Sequence, residues 1–371
     1  MAEQPPVPGE AIRRMLTERG WTQEDLARII GRHRPEVTNL ISGKRSITPD
    51  LAIALGTAFS NPPQYWMELE TARQLSFAQE NPIEIQRRLR LYQIAPVKDM
   101  QKRGWIPGSL TDEQLAKELC RFFGVTSLDP EPSIAVATRR GEASATSLSP
   151  AQRAWCFRAL QVARLVHSES FKANRLDEAE AELRRLASYP DEARHVPKVL
   201  ADYGIRFVVV EPLPSARIDG ATLWIDGYAP VIALSLRCDR IDWFWHTLMH
   251  EFSHVRHGDA FSVDEELVGE AALPSAAKEQ VERRADEEAA STLIPEDKLE
   301  SFIVRVGPLY SKPRINQFAN RMQIHPGVVV GQLQHRGELG WHSNREMLGP
   351  IRRIIIETAL VDGWGQEIGG V

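Results

Sequence analysis

The sequence predicts an α+β protein that is mostly helical, with a small antiparallel sheet late in the chain. Three observations predict it. Apolar residues recur at helical spacing, between capping residues and glycine stops, from residue 9 to residue 187. Three short β-rich runs then fall between residues 205 and 235, separated by Pro, Asp and Gly turns. Helical periodicity returns after them, first across residues 241–257.

At 371 residues, with 43% hydrophobic residues and a net charge of −5, the chain is long enough for two or three domains with cores of their own. The N-terminus lacks the basic and apolar regions of a secretion signal, and no run approaches the roughly 18 apolar residues that span a membrane. A cytoplasmic protein with no membrane partner is expected. Cys120, Cys156 and Cys238 are widely spaced and odd in number, which fits neither a disulfide framework nor a cysteine metal site. They are expected to be buried thiols.

The first elements read as a helix-turn-helix. Gly9 to Arg19 is amphipathic and closed by Gly20; Thr22-Gln23-Glu24-Asp25 is a capping start for a short helix ending at Gly31. The next helix runs from Arg34 to Ser42, with Pro35 in its first turn and Gly43 as its stop. In such a motif the second helix normally enters the major groove of DNA. Arg28, Arg32, Arg34, Lys44 and Arg45 gather here against Glu36, although the domain as a whole is nearly neutral. Base-edge contacts to operator DNA are assigned to Arg34, Thr38 and Asn39, and phosphate contacts to Arg32, His33, Lys44 and Arg45. The alternative is a helical module whose exposed arginines serve protein contacts or self-association.

A further helix opens at Pro62, and Glu80-Asn81-Pro82 marks a boundary, so residues 1–78 form the first domain. Helices then follow at Ile83–Leu91, Pro96–Arg103, Asp112–Phe123, Pro150–His167 and Leu176–Ala187, with an irregular connection from Ser127 to Leu148. Residues 79–160 read as a helical linker without a catalytic constellation. The β runs are Ile205–Val210, Ala221–Ile225 and Pro230–Ser235; an edge strand of their sheet could pair an extended substrate.

The chemistry sits in His250-Glu251-Phe252-Ser253-His254. Residues four apart on a helix stack above one another, so His250 and His254 can aim at one zinc ion, with Glu251 beside it as general base for a water. The apolar stretch before the motif and Gly258 after it place it within one helix. A catalytic zinc site needs a third protein ligand and an open position. A third His six residues on, with an intervening Gly, is excluded, because Ala260 and His257 stand at those places. The downstream helix around Glu282-Arg283-Arg284-Ala285-Asp286 offers Glu282 as third ligand and Asp286 as acceptor of a ligand histidine's free ring N–H. Without the histidine motif this would read as a solvated acidic helix. Neither His246 nor His257 is expected to bind the metal, since three turns of a straight helix cannot converge on one ion. Arg217, Tyr228, His257 and Tyr310 all remain open as the group that stabilises an oxyanion.

Together, His250-Glu251-x-x-His254, Glu282-x-x-Ala285-Asp286-x-x-Ala289 and Leu293-Ile294-Pro295 resemble the ImmA/IrrE metallopeptidases. That family usually has Asn at the place of Asp286, Phe at that of Glu288, and an aromatic residue at that of His246. Pro8-Gly9-Glu10 and Ser42-Gly43-Lys44-Arg45-Ser46-Ile47-Thr48-Pro49 resemble the HigA-type Xre antitoxins, and Lys102-Arg103-Gly104-Trp105-Ile106 is similar to the connector of known fusions of the two modules. Gln317 to Leu333 resembles the helical pair common in such proteins.

The resemblance implies a zincin-like, gluzincin-type peptidase domain at residues 161–300, followed by a C-terminal helical region at 301–371. It also implies a regulator that binds operator DNA as a homodimer and cleaves an Xre-type repressor or itself. The competing reading is a HigA-like antitoxin and autorepressor, whose peptidase fold binds a cognate toxin.

Overall fold

The computed structural model describes residues 7–77, 82–132, 148–259, 262–264, 280–366 and 368, and the chain divides into two compact units, residues 1–86 and 87–371. In the first, α1 (Pro8–Arg19) is closed by Gly20 in the left-handed region at φ 67°. A reciprocal cap between Thr22 and Asp25 starts α2 (Gln23–Ile29), and α3 (Arg34–Ile41) carries proline in its first turn. Then come α4 (Pro49–Phe59) and α5 (Pro63–Phe77). Their inward faces bury Ile12, Leu26, Val37, Leu51, Leu55 and Trp66. Each such side chain contributes roughly 1.5–3 kcal/mol of burial. A Cβ on Gly9 would lie 2.1 Å from the Ile41 carbonyl oxygen, so glycine is what lets α1 meet the end of α3.

α6 (Pro82–Ile94) leads into the second unit. There α7 (Val97–Lys102), α8 (Asp112–Phe123), α9 (Pro150–Ala163), α10 (Leu176–Leu186) and α11 (Val196–Asp202) precede a sheet of β1 (Arg206–Val210), β2 (Gly220–Ile225) and β3 (Ala229–Leu234). After it come α12 (Ile241–His257), β4 (Ser262–Asp264), α13 (Gln280–Leu293), α14 (Glu296–Val306), α15 (Lys312–Met322), α16 (Pro326–His335), α17 (Arg352–Ile356) and β5 (Leu360–Asp362).

The sheet order is β4-β2-β3-β1-β5, and the sheet is mixed. β1 runs parallel to β3 and β5, whereas β2 runs antiparallel to β3 and β4. The expected antiparallel sheet is therefore corrected. A strand buried on both faces reads as one apolar run, and such a run carries no sign of its partner's direction. Alternation assigns the faces. Phe207, Val209, Ile232 and Leu234 pack with α10–α17, while Val208, Val210, Val231 and Ala233 pack with α6–α9.

Within residues 79–160, expected to form a linker, buried side chains from Leu91 to Leu128 and from Ala151 to Ala159 help supply one of the two helical layers against this sheet. The buried apolar side chains from Phe302 to Val361 belong to the other core, and β5 joins the sheet beside β1. Arg158 on α9 meets Asp362 on β5 at 2.5 Å with both side chains only 4% exposed, and Trp105 donates to the same carboxylate at 2.9 Å. Cys156 is buried, but Cys120 and Cys238 are only half-buried, because each sits at the margin of a core. Residues 133–147 of the expected irregular connection lie outside the described residues. Among the described residues no helix is long and apolar enough to cross a membrane.

Candidate metal centre and helix-turn-helix surface

α12 packs between the sheet, α13 and α16, which buries almost every turn of it. His250 and His254 are fully buried within it. Their Nε2 atoms lie 3.0 Å apart. α13 comes close because its contact residues Ala285 and Ala289 are small and buried, and it brings Glu282 Oε2 within 3.3 Å of His250 Nε2 and 3.6 Å of His254 Nε2. Four ligands at zinc bond lengths of about 2.0–2.1 Å form a tetrahedron whose edges are roughly 3.3 Å. The three separations match that edge, so the residues fit a tetrahedral divalent cation with one position left over.

The outer ring nitrogens decide the tautomers. His250 Nδ1 is 2.9 Å from Asp286 Oδ1, and His254 Nδ1 is 3.0 Å from Asp259 Oδ2. Each Nδ1 must donate to its carboxylate, which leaves a lone pair on each Nε2. In that tautomer both Nε2 atoms, 3.0 Å apart, are the ones that would ligate a cation between them. Burial tends to raise the Asp286 pKa, but hydrogen bonds from His246 and His250 outweigh it and hold the carboxyl far below its usual range.

The sequence reading placed His250, His254, Glu282 and Asp286 at one site, and the fold brings all four together. It missed Asp259. That residue directly follows the helix-stop Gly258, its carboxylate also binds Arg284 from α13, and its carbonyl accepts from Trp224 at 2.9 Å. An acid five residues past His254 was the available signal. His246 reaches Asp286 at 3.6 Å and stands outside the three-ligand set. His257 turns to Glu288 at 2.8 Å, with Ser253 on the same carboxylate. Tyr310 donates to Glu338 at 2.5 Å, and burial followed by that carboxylate pushes its pKa up to about 12.

Glu251 is fully buried and turned toward β2. The Thr222 hydroxyl lies 2.7 Å from its Oε2 and 2.9 Å from its main-chain carbonyl. A Cβ on Gly220 would fall 2.4 Å from Glu251 Oε1, so the glycine makes room for the carboxylate. Neither Thr222 nor Gly220 stood out in the sequence. β4 covers the outer side of β2 through Thr222↔Ser262 pairing, so among the described residues β4 is one of the sheet's two edge strands, with β5 at the other end.

In the first unit, Arg32, His33, Arg34, Thr38, Asn39, Lys44 and Arg45 are all exposed, on α3 and the turns that flank it. The Thr38 hydroxyl lies 2.9 Å from Gln23 Oε1 at the start of α2, which ties the two helices together. Arg45 pairs with Glu36, and Arg28 pairs with Glu24 at 3.6 Å. The positive charge of the α3 face therefore rests mainly on Arg32, Arg34 and Lys44.

The helix-turn-helix family's sequence profile matches residues 12–66. The uncharacterized HTH-type transcriptional regulator YddM of Escherichia coli (strain K12) is 31% identical over 86 residues, which are 23% of this chain and 90% of that protein. The chain belongs to the helix-turn-helix family. Antitoxin HigA-1 of Vibrio cholerae is 37% identical to it over 65 residues, 17% of this chain, and the chain spans 61% of that protein's length. Among solved structures, Pseudomonas aeruginosa antitoxin HigA with the higBA promoter is 34% identical, covers 19% of this chain and 79% of its own, and gives a TM-score of 0.19. The helix-turn-helix unit thus has a HigA-type antitoxin among its relatives.

Proposed function

We propose that the protein is an operator-binding transcriptional regulator whose second unit is a zinc-dependent endopeptidase of the ImmA/IrrE type. The observation that carries the enzymatic half is the convergence of His250 Nε2, His254 Nε2 and Glu282 Oε2 at tetrahedral spacing, with both Nδ1 atoms committed to carboxylates. The regulatory half is supported by membership of the helix-turn-helix family and by the exposed α3 face.

His250, His254 and Glu282 would hold the cation, with Asp286 and Asp259 fixing the two imidazoles. Bound there, a zinc ion supplies Lewis-acid polarisation of a carbonyl and acidifies a water. Glu251 takes the proton of the attacking water. Thr222 holds the carboxyl through Oε2, and the proton passes from the carboxyl to the departing amine. A substrate strand would pair with the outer edge of β4. The substrate class is an Xre-type repressor or a second copy of the chain.

Glu251→Gln tests the reading. The variant should bind metal as the parent does and lose cleavage of Xre-type repressors; metal binding without cleavage by either protein counts against the peptidase.

A HigA-like antitoxin function is favoured by the relatives of the first unit alone. It predicts a toxin that copurifies with the chain and leaves when the second unit is altered.

A further inference from the structure

Successive turns of α12 carry His246, His250 and His254, and successive turns of α13 carry Glu282 and Asp286. The small, buried Ala285 and Ala289 let the two helices pack closely, and side chains four apart stack on one face of each, so one contact repeats a turn further along. Glu282 meets His250 and His254; Asp286 meets His246 and His250. The metal centre described above uses the first triad alone.

The second triad has comparable spacing. Asp286 Oδ1 lies 2.9 Å from His250 Nδ1 and 3.6 Å from His246 Nε2, and the three donor atoms all fall within 4.8 Å of one another. In the first triad the separation of Glu282 from His254 is also 3.6 Å. The His246 and Asp286 side chains are 16% and 22% exposed, which gives the triad a side open to solvent, whereas His250 is fully buried behind them. One straight helix cannot bring three histidines to a single tetrahedral ion, but it can serve two ions in succession.

We infer that His246, Asp286 and His250 form a second site for a divalent cation of the zinc type, filled after the first and more weakly. The His250 ring then bridges the two ions, with Nε2 on one and Nδ1 on the other. Its Nδ1 proton passes to solvent, and Asp286 changes from hydrogen-bond acceptor to ligand. Two imidazoles and a carboxylate suit zinc or cobalt over magnesium and calcium, which favour oxygen donors. Repulsion between two dications that share one ring holds the second affinity at least about tenfold below the first. The inference rests on the metal-binding half of the reading above, through His250, and not on peptide cleavage.

The test strips the full-length chain of metal and titrates it with Zn²⁺, and separately with Co²⁺, against a chromophoric chelator. The parent should take up two equivalents, the second weaker by at least that factor, and excess Mg²⁺ should displace neither. His246→Phe and His246→Gln should each lose the weak equivalent and keep the tight one, whose retention reports a folded chain. His254→Ala should keep a weak equivalent that adding His246→Phe abolishes. No uptake by the parent, uptake of one equivalent that survives both His246 changes, or a second equivalent that survives them overturns the inference. A single equivalent that His254→Ala retains and His246→Phe abolishes leaves the inferred site standing and sinks the first one, and with it the peptidase reading.

Discussion

His254 Nδ1 and Asp259 Oδ2 stand 3.0 Å apart, and the same carboxylate is gripped by Arg284 from the helix that carries Glu282. One residue just past the end of α12 thereby orients a histidine of α12 and tethers α13. Asp286 does the equivalent for His250, so each imidazole has its own acid.

Loss of either acid should weaken the metal without dissolving the fold. Asp259→Asn and Asp286→Asn are each expected to lower zinc affinity by about 10–100-fold, read by competition with a chromophoric chelator. Unchanged affinity in both variants would remove the carboxylates from the account of the site.

Thr222→Val should leave zinc affinity unaltered and slow cleavage, because the hydroxyl holds the Glu251 carboxylate and touches no ligand. General-base catalysis contributes typically 10²–10⁴-fold, and misorienting the base should forfeit part of it. Thr222→Ser, which restores the hydroxyl, should recover the rate. If serine and valine behave alike, the hydrogen bond is not what matters.

On DNA, two variants should separate by their salt dependence. Lys44→Ala is expected to weaken binding to all sequences and to reduce the salt slope by about one unit. Asn39→Ala should cost roughly 1–3 kcal/mol on the operator and relax discrimination at one base pair. Gel shifts over a series of salt concentrations would show both. An operator affinity untouched by either change argues that α3 does not enter the groove.

Much of this was legible in the sequence where the determinants are local. Gly20 and Gly258 stop helices by adopting positive φ, and Thr22 with Asp25 starts one, all within a few residues of the elements they bound. His250, Glu251 and His254 lie on one helix, and Glu282 could be picked because Ala285 and Ala289 promised close packing. What escaped depends on distant partners. Arg158 and Asp362 are 204 positions apart, yet their pair helps to fix β5, whose three residues give no periodic signal. Thr222 is an ordinary strand threonine until the fold sets it against Glu251, 29 residues on.

The first unit carries a pH-dependent element of its own. Burial tends to raise the Glu70 pKa, but Arg73, Gln74 and the Ile47 backbone together hold it below its ordinary value of 4.5. A carboxyl lowered by folding stabilises the folded state above its unfolded pKa and loses that contribution as pH falls through its folded pKa. Stability of α5 against the rest of the unit should therefore decline below about pH 4.5. Arg73→Met, which strands a buried carboxylate, should cost roughly 3–5 kcal/mol at pH 7 and less in acid. Hydrogen exchange at Trp66 and Leu55 across that pH range would report it, and a penalty that grows in acid would contradict the assignment.

If His250, His254 and Glu282 hold a metal ion, elemental analysis of the purified full-length chain will show it. One zinc per chain is predicted for the parent and for Glu251→Gln, with a substoichiometric amount in His250→Ala and His254→Ala. A parent that takes up no zinc after equilibration, or histidine variants that retain a full equivalent, would contradict it.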